Sequence, residues 1–532
     1  MKRRSFIRLG GMAGSVFAVH GLTNCNKNTG EKLKDWNDFA LNEITISDLK
    51  TKYNLGELDI PGVVDMYLSR INEIDKQGPA INSIITLNPS VHDEAEKLQK
   101  EGESGRPLWG VPLLIKDNID VAGEMPNTAG SLALKENFPI KDGFIIQKLR
   151  EAGAIILGKA NLSEWANFRS TRSSSGWSAM GGQTKNPYVL QRNPCGSSSG
   201  PGAAISANFC TIAIGTETNG SIVCPSSANG IVGIKPTVGL WSRSGIIPVS
   251  HTQDTAGPMA RTVKDAAILL GALAGRDPED LSTLSAPDEN NLEYTRFLNR
   301  DGLRNARIGV AREFFGFHEK VDALIEEAIA LMRSEGAEIM DPVEIAVGSK
   351  AEDAAFDVLL YEFRFGINKY LGNLSPGIPH RTLDNLIAFN KENEETEMPY
   401  FQQEIFLMAA KKGGFTDRVY LQALQKLARV YRKEGIDKIC DKLKLDAIVA
   451  PTGGPAWTTD LLNGDHFLGG SSSPAARAGY PNITVPAGHV HGLPVGISFF
   501  GKAWSEPVLL KIAYAYEQAS QNRKVPEFLN TI

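Results

Sequence analysis

Three side chains stand out for the chemistry they could do together. Lys116 ends the run Gly110-Val111-Pro112-Leu113-Leu114-Ile115 and is followed by Asp117-Asn118. Ser197 lies in Cys195-Gly196-Ser197-Ser198-Ser199-Gly200, and Ser221 ends Gly215-Thr216-Glu217-Thr218-Asn219-Gly220-Ser221. A serine hydroxyl is a weak nucleophile until a neighbouring base takes its proton. Lysine can be that base only when neutral, and with a free pKa of about 10.4 this costs roughly 4–5 kcal/mol at pH 7. Burial among apolar groups lowers the pKa and removes much of the cost. Val111, Leu113, Leu114 and Ile115 read as a buried strand delivering Lys116 at its end. The plainer alternative is a surface lysine closing a core strand. Together, one lysine and two serines in glycine-rich turns can make a nucleophile without histidine, and they point to amide hydrolysis.

The segment before Ser221 fits that chemistry. Thr211–Ile214 reads as a strand and Gly215–Gly220 as a turn. Successive backbone N–H groups in such a turn can converge on one point and hold the oxyanion of a tetrahedral intermediate. A rival reading centres on Ser198. Gly196-Ser197-Ser198-Ser199-Gly200 matches the G-x-S-x-G nucleophile elbow, with His489 or His491 downstream and Asp465 as a third member. Ser47-Asp48-Leu49-Lys50 also spells Ser-x-x-Lys, but a helix surface near the N-terminus explains it better, and no Lys-Thr-Gly element accompanies it.

Elements able to position these residues alternate along the chain. Strand-like runs occur at 83–87, 111–115, 154–157, 211–214, 307–310, 447–450, 482–485 and 495–499. Helical patterns at 143–151, 262–273 and 321–334 lie between several of them, and 60–75 reads as an amphipathic helix. Alternating strands and helices indicate an α/β fold. Residues 276–440 carry little motif content and read as a variable helical elaboration with a solvated face, the functional alternative being a cap that shapes the entrance to the pocket. With 532 residues, 42% hydrophobic and 22% charged, the chain has ample core, and its formal net charge is −5. No basic block interleaved with aromatics supports nucleic-acid binding.

The quoted motifs resemble those of the amidase signature family. The likeness continues through Gly158-Lys159-Ala160-Asn161-Leu162-Ser163-Glu164-Trp165, Gly182–Pro187 and Gln253-Asp254-Thr255-Ala256-Gly257-Pro258-Met259-Ala260-Arg261. Weaker matches at Ala450-Pro451-Thr452 and Pro481–Pro486 carry it to the C-terminal region, from about residue 45 to 520. The resemblance implies one large domain over 45–532, with a large mixed β-sheet sandwiched by helices. It implies Lys116 as general base, Ser197 as bridging serine after a cis bond from Gly196, and Ser221 as nucleophile, with Ser198 in support. Thr218, Asn219, Gly220 and Ser221 would supply the oxyanion hole.

Within the family, the run ending Ser221-Ile222-Val223-Cys224-Pro225 looks nearest to bacterial peptide amidases, which release ammonia from C-terminally amidated peptides. Asn219 and Cys195 depart from the family pattern, which has glycine or aspartate before Gly-Ser and glycine ahead of the cis serine. Three alternatives stand beside this reading. They are an amidase for small or fatty-acyl amides, a component generating ammonia for tRNA-bound glutamine synthesis, and an exported binding protein on the same scaffold. No cofactor, metal or obligate protein partner is implied.

Residues 1–24 read as an export signal. Lys2-Arg3-Arg4-Ser5-Phe6-Ile7-Arg8 resembles a twin-arginine motif and precedes an apolar stretch from Leu9 to Leu22. Leu22-Thr23-Asn24-Cys25 looks like a lipobox, with Cys25 as the lipid attachment point of a periplasmic or membrane-anchored lipoprotein, and 25–44 reads as a polar tether. The export signal weighs against the ammonia-supplying component, whose tRNA partner is cytosolic. The other cysteines, Cys195, Cys210, Cys224 and Cys440, form no CxxC pair; the default expectation is buried free thiols, with a disulfide among Cys195, Cys210 and Cys224, which lie around the candidate site, as the alternative in an exported protein.

Overall fold

The segment of alternating apolar runs folds around one continuous sheet. A computed structural model describes residues 36–287, 293–345, 351–375 and 377–532. The expected export signal and Cys25 lie outside these residues. Strands are β1 (Ile84–Leu87), β2 (Pro112–Lys116), β3 (Ile155–Ala160), β4 (Trp177–Ser178), β5 (Gly182–Gln183), β6 (Ile212–Glu217), β7 (Val232–Lys235), β8 (Thr255–Ala260), β9 (Arg307–Ala311), β10 (Glu338–Val343), β11 (Ala447–Pro451), β12 (Asn482–Val490) and β13 (Leu493–Phe500). Eleven of them form a mixed sheet in the order β1-β3-β2-β6-β8-β7-β12-β13-β11-β9-β10, and β4 and β5 pair apart from it.

β2 runs parallel to β3 and β6, while β8 pairs antiparallel with both β6 and β7. β2, β3 and β6 are buried along their whole lengths, which is why they read as continuous apolar runs rather than alternating ones. Helices Ile60–Arg70, Phe144–Glu151, Val263–Leu273, Glu319–Ser334 and Glu506–Ser520 belong to the layers that flank the sheet. The α/β expectation of a large mixed sheet sandwiched by helices holds.

Three features depart from expectation. β6 does not end at Ile214 but continues to Glu217, because Gly215, Thr216 and Glu217 pair with Gly257, Ala256 and Thr255 of β8. The turn is therefore confined to the residues just before Ser221. Within 276–440, Glu338–Val343 joins the expected strand at Arg307–Ala311 in the main sheet, the two linked by the helix Glu319–Ser334, so this stretch is not wholly helical. Its later part is: helices Glu352–Gly372, Leu383–Glu392 and Glu404–Ala410 share an apolar cluster with Trp165 and Phe168. Finally, the chain is docked from Trp36 onward rather than tethered as far as residue 44. Leu41 and Ile44 are buried, and Glu43 pairs with Arg523 at 2.6 Å.

Candidate active site

Lys116 is the last residue of β2 and is fully buried. Its Nζ lies within hydrogen-bond distance of Ser197 Oγ at 2.8 Å, Ser198 Oγ at 3.0 Å, Thr216 Oγ1 at 2.9 Å and the Thr216 carbonyl at 3.2 Å. The neighbouring Asp117 does not serve it, pairing instead with Lys159 of β3 at 3.2 Å. Burial lowers the Lys116 pKa to about 7, against the opposing pull of the Glu217 and Asp254 charges. An amine at that pKa is partly neutral at neutral pH and can accept a proton.

Ser198 cannot serve as a free nucleophile here. Its hydroxyl donates to the Thr216 carbonyl at 3.0 Å and accepts from Thr216 N at 3.1 Å and from Lys116. Among the described residues no histidine hydrogen-bonds to it. His489 lies beside Tyr188 with the rings tilted at 50°, its pKa pushed down to about 4 by burial and the nearby cations Lys524 and Arg523. His491 meets Lys320 at an exposed position, and Asp465 accepts from Ser175 N at 3.0 Å and Trp457 Nε1 at 3.2 Å. The elbow reading therefore lacks its triad. Ser47-Asp48-Leu49-Lys50 lies on the helix Ile46–Asn54, where Lys50 donates to the Arg106 carbonyl.

Ser197 follows a cis peptide bond from Gly196, as the resemblance implies. The position before it is tight: a Cβ on Gly196 would sit 2.2 Å from Ser163 Oγ, which would have to move. The Ser197 carbonyl accepts from Ser163 N at 3.1 Å, and Ser198 N donates to the Ser221 carbonyl at 3.1 Å. The two serine loops are thus in direct backbone contact.

The turn carrying Ser221 is held from three sides. Thr218 Oγ1 donates to Asp254 Oδ1 at 2.5 Å, and Val249 N and Ser250 N both donate to Asp254 Oδ2 at 2.7 Å. Burial still pushes the Asp254 carboxyl up to about 6. Asn219 accepts from Ser472 Oγ at 2.8 Å and donates to Ser473 Oγ at 3.1 Å. Glu217 accepts from Ile222 N at 2.8 Å and Val223 N at 3.1 Å, which fixes the chain just past Ser221. Gly220 has φ +87°, a left-handed conformation that favours glycine. Among the described residues, the backbone N–H groups of Asn219, Gly220 and Ser221 donate to no protein acceptor. Such uncommitted donors are costly to bury and suit an incoming anion.

Thr216, Asn118 and Asp254 also join the site; each lies inside a quoted motif, but nothing in the spacing sets it apart from its neighbours. Asn118 donates to Thr216 Oγ1 at 3.0 Å, so Thr216 links Lys116, Ser198 and Asn118. Ending β6 at Ile214 hides Thr216, although it is the next residue on the same face of that strand. The expectation of free thiols fails for two cysteines: Cys195 and Cys224 form a disulfide, with Cα atoms 6.0 Å apart. The contact between the two serine loops brings them together across a sequence separation of 29. Cys210 and Cys440 are free and buried, as expected.

The Amidase family profile matches residues 62–510 of this chain. The chain belongs to the amidase signature family. A probable amidase of Arabidopsis thaliana is 40% identical over 508 residues, covering 92% of this chain and 93% of that protein. The native peptide amidase of Stenotrophomonas maltophilia is 46% identical, with a TM-score of 0.87 over 92% of this chain and 99% of its own. An amidase family protein of Bacillus anthracis is 36% identical, with a TM-score of 0.82 over 91% of this chain and 92% of its own. This family amidase is a hydrolase of amide bonds, and the described site is where the quoted motifs of Lys116, Ser197 and Ser221 meet.

Proposed function

We propose that the protein hydrolyses primary carboxamides, with C-terminal peptide amides as the preferred class, to a carboxylate and ammonia. Ser221 attacks the amide carbonyl while Ser197 takes its proton and passes one of its own to neutral Lys116. The oxyanion receives hydrogen bonds from the backbone N–H groups of Thr218, Asn219, Gly220 and Ser221, with the Thr218 hydroxyl tying the turn to Asp254. The relay then returns a proton to the departing nitrogen, and ammonia leaves. Water attacks the acyl-enzyme by the same route in reverse order, releasing the carboxylate and restoring Ser221.

The observation that carries this reading is the 2.8 Å bond from a buried, near-neutral lysine to Ser197, beside a turn with uncommitted N–H groups. The peptide-amide class is supported by the likeness to peptide amidases of known structure, one of them bound to the competitive inhibitor chymostatin and 47% identical to this chain. Fatty-acyl or small amides are the competing class. Ammonia release from amidated dipeptides, amino-acid amides and long-chain fatty amides tests it: higher kcat/KM on the fatty amides would exclude the peptide-amide assignment.

Export by residues 1–24 and lipid attachment at Cys25 belong to the same proposal. The Cys195–Cys224 disulfide supports an oxidising compartment. Cell fractionation of an Arg3→Lys, Arg4→Lys variant tests it, with retention of the precursor in the cytoplasm expected and unchanged export contradicting the twin-arginine reading.

A further inference from the structure

The Cys195–Cys224 bridge joins the two loops that the proposed mechanism uses. Cys195 lies two residues before Ser197, and Cys224 lies three residues after Ser221. Each cysteine is also tied into its own loop. Cys195 N donates to Asn193 Oδ1 at 2.8 Å, and its carbonyl accepts from Ser199 Oγ at 2.7 Å. Cys224 N donates to the Gly220 carbonyl at 2.8 Å, closing the turn that contains Ser221. Cys195 itself has φ +59°, a left-handed conformation uncommon for a residue with a side chain. The bridge packs in an apolar cluster with Tyr188, Ala228, Trp457 and Leu493.

Apart from the bridge, the links between the two segments are hydrogen bonds: Thr216 N donates to the Ser198 hydroxyl, which donates to the Thr216 carbonyl, and Lys116 Nζ reaches both Ser197 Oγ and Thr216 Oγ1. Ser198 N donates to the Ser221 carbonyl at 3.1 Å, and Asn229 Nδ2 reaches both the Pro194 and Pro225 carbonyls, at 2.8 and 2.7 Å. Beyond Thr216, which Lys116 also holds, the anchoring is to different elements. The Ser197 loop is fastened to Ser163 and Lys116, and the Ser221 turn to Asp254, Glu217 and Ser472. The distance between the serine hydroxyls depends on keeping these two supports in register.

From this connectivity we infer that Cys195 and Cys224, as a disulfide, are positioning residues for proton transfer between Ser221 and Ser197, so that a dithiol reductant reversibly lowers turnover. The inference rests on the proposed roles of those serines. Reduction is a two-electron exchange. A dithiol thiolate attacks Cys224 Sγ, which is the less buried sulfur, and Cys195 leaves as a thiolate that takes up a proton. The second thiol of the reagent then closes the reagent's own ring, expelling Cys224 as a thiol. The protein gains two thiols, and the dithiol becomes a cyclic disulfide. Cys210 and Cys440 take no part in the exchange, since burial pushes both thiols up to about 12.

The test uses the full-length protein with dithiothreitol, and alkylation followed by mass analysis verifies reduction of the pair. Turnover of an amidated dipeptide and the rate of Ser221 labelling by a fluorophosphonate are measured before reduction, after it, and after reoxidation. A misplacement of about 1 Å in a reacting group costs on the order of 100-fold, so kcat should fall by roughly 10- to 100-fold, with KM changed less than about twofold. The labelling rate should fall in parallel, and both should return on reoxidation. A Cys195→Ser, Cys224→Ser variant should have the same low kcat and no response to the reductant. For either form, rates are taken per folded molecule recovered by size exclusion, so that loss of stability is not read as loss of positioning. Wild-type kcat and labelling rate in the folded, reduced protein would overturn the inference while leaving the serine assignment intact. Absence of Ser221 labelling in the oxidised protein would overturn both.

Discussion

The clearest quantitative consequence of the site is the pH dependence of the first chemical step. Lys116 accepts a proton only when neutral, and burial brings its pKa from 10.5 to about 7. That shift corresponds to about 5 kcal/mol of relief from the cost of deprotonating a free lysine at pH 7. The sign follows from the shift: below about pH 7 the buried amine is protonated and the relay is blocked, and above it the amine is free. The neutral fraction is about one-eleventh at pH 6 and about ten-elevenths at pH 8. The kcat/KM for an amidated dipeptide, measured from pH 5 to 9, should rise roughly tenfold between pH 6 and 8 and then level off. Glu217→Gln provides the perturbation. Glu217 is the charge that most opposes the effect of burial on Lys116, so removing it should move the acid limb to lower pH. The glutamine oxygen can still accept from Ile222 N or Val223 N, which keeps the turn in place. Asp254→Asn should move the limb in the same direction, since its charge acts the same way. A limb near the ordinary lysine value, or one that moves upward in Glu217→Gln, would refute the reasoning.

Other variants separate the roles. Ser197→Ala should retain more activity than Ser221→Ala, because water can stand in part for the relay but nothing replaces the nucleophile; equal loss in kcat/KM, with both proteins folded, would contradict this. Thr218→Val removes a 2.5 Å bond to a buried carboxylate and should lower kcat/KM by about 10- to 100-fold, the equivalent of roughly 1.5–3 kcal/mol; steady-state assays check it. His489→Ala and His491→Ala should stay within a few-fold of wild type, whereas Lys116→Ala should lose several orders of magnitude. Opening the disulfide, which closes a loop of separation 29, should lower unfolding stability by about 3–4 kcal/mol, measurable as a lower urea midpoint for Cys195→Ser, Cys224→Ser.

Much of this architecture is legible in the chain, and the exceptions have physical reasons. Val111–Ile115 and Asn482–Val485 announce buried strands because both faces are covered, and Thr262 marks the start of the helix Val263–Leu273, whose Asp265 N it caps at 3.1 Å. β8 is hidden because Thr-Ala-Gly-Pro-Met-Ala puts glycine and proline in a strand that pairs on both sides. β7 has only four residues, and β10, at the sheet edge, is charged and half-exposed, so neither shows a strand period. Lys116, Ser197 and Ser221 are legible because their flanking glycines and apolar run are local signals. Thr216, Asp254 and the disulfide are not. Their partners are distant in sequence, and only the pairing of β6 with β8 and the meeting of two loops bring them together.

Mapping the nucleophile tests the relay most directly. The purified protein is treated with a serine-directed fluorophosphonate, digested, and mapped by mass spectrometry, with turnover followed in the same sample. The label should fall on Ser221, in proportion to lost activity, and labelling should collapse in Lys116→Ala. A label on Ser198, or on Ser221 at an unchanged rate without Lys116, would contradict the proposed Ser221–Ser197–Lys116 relay.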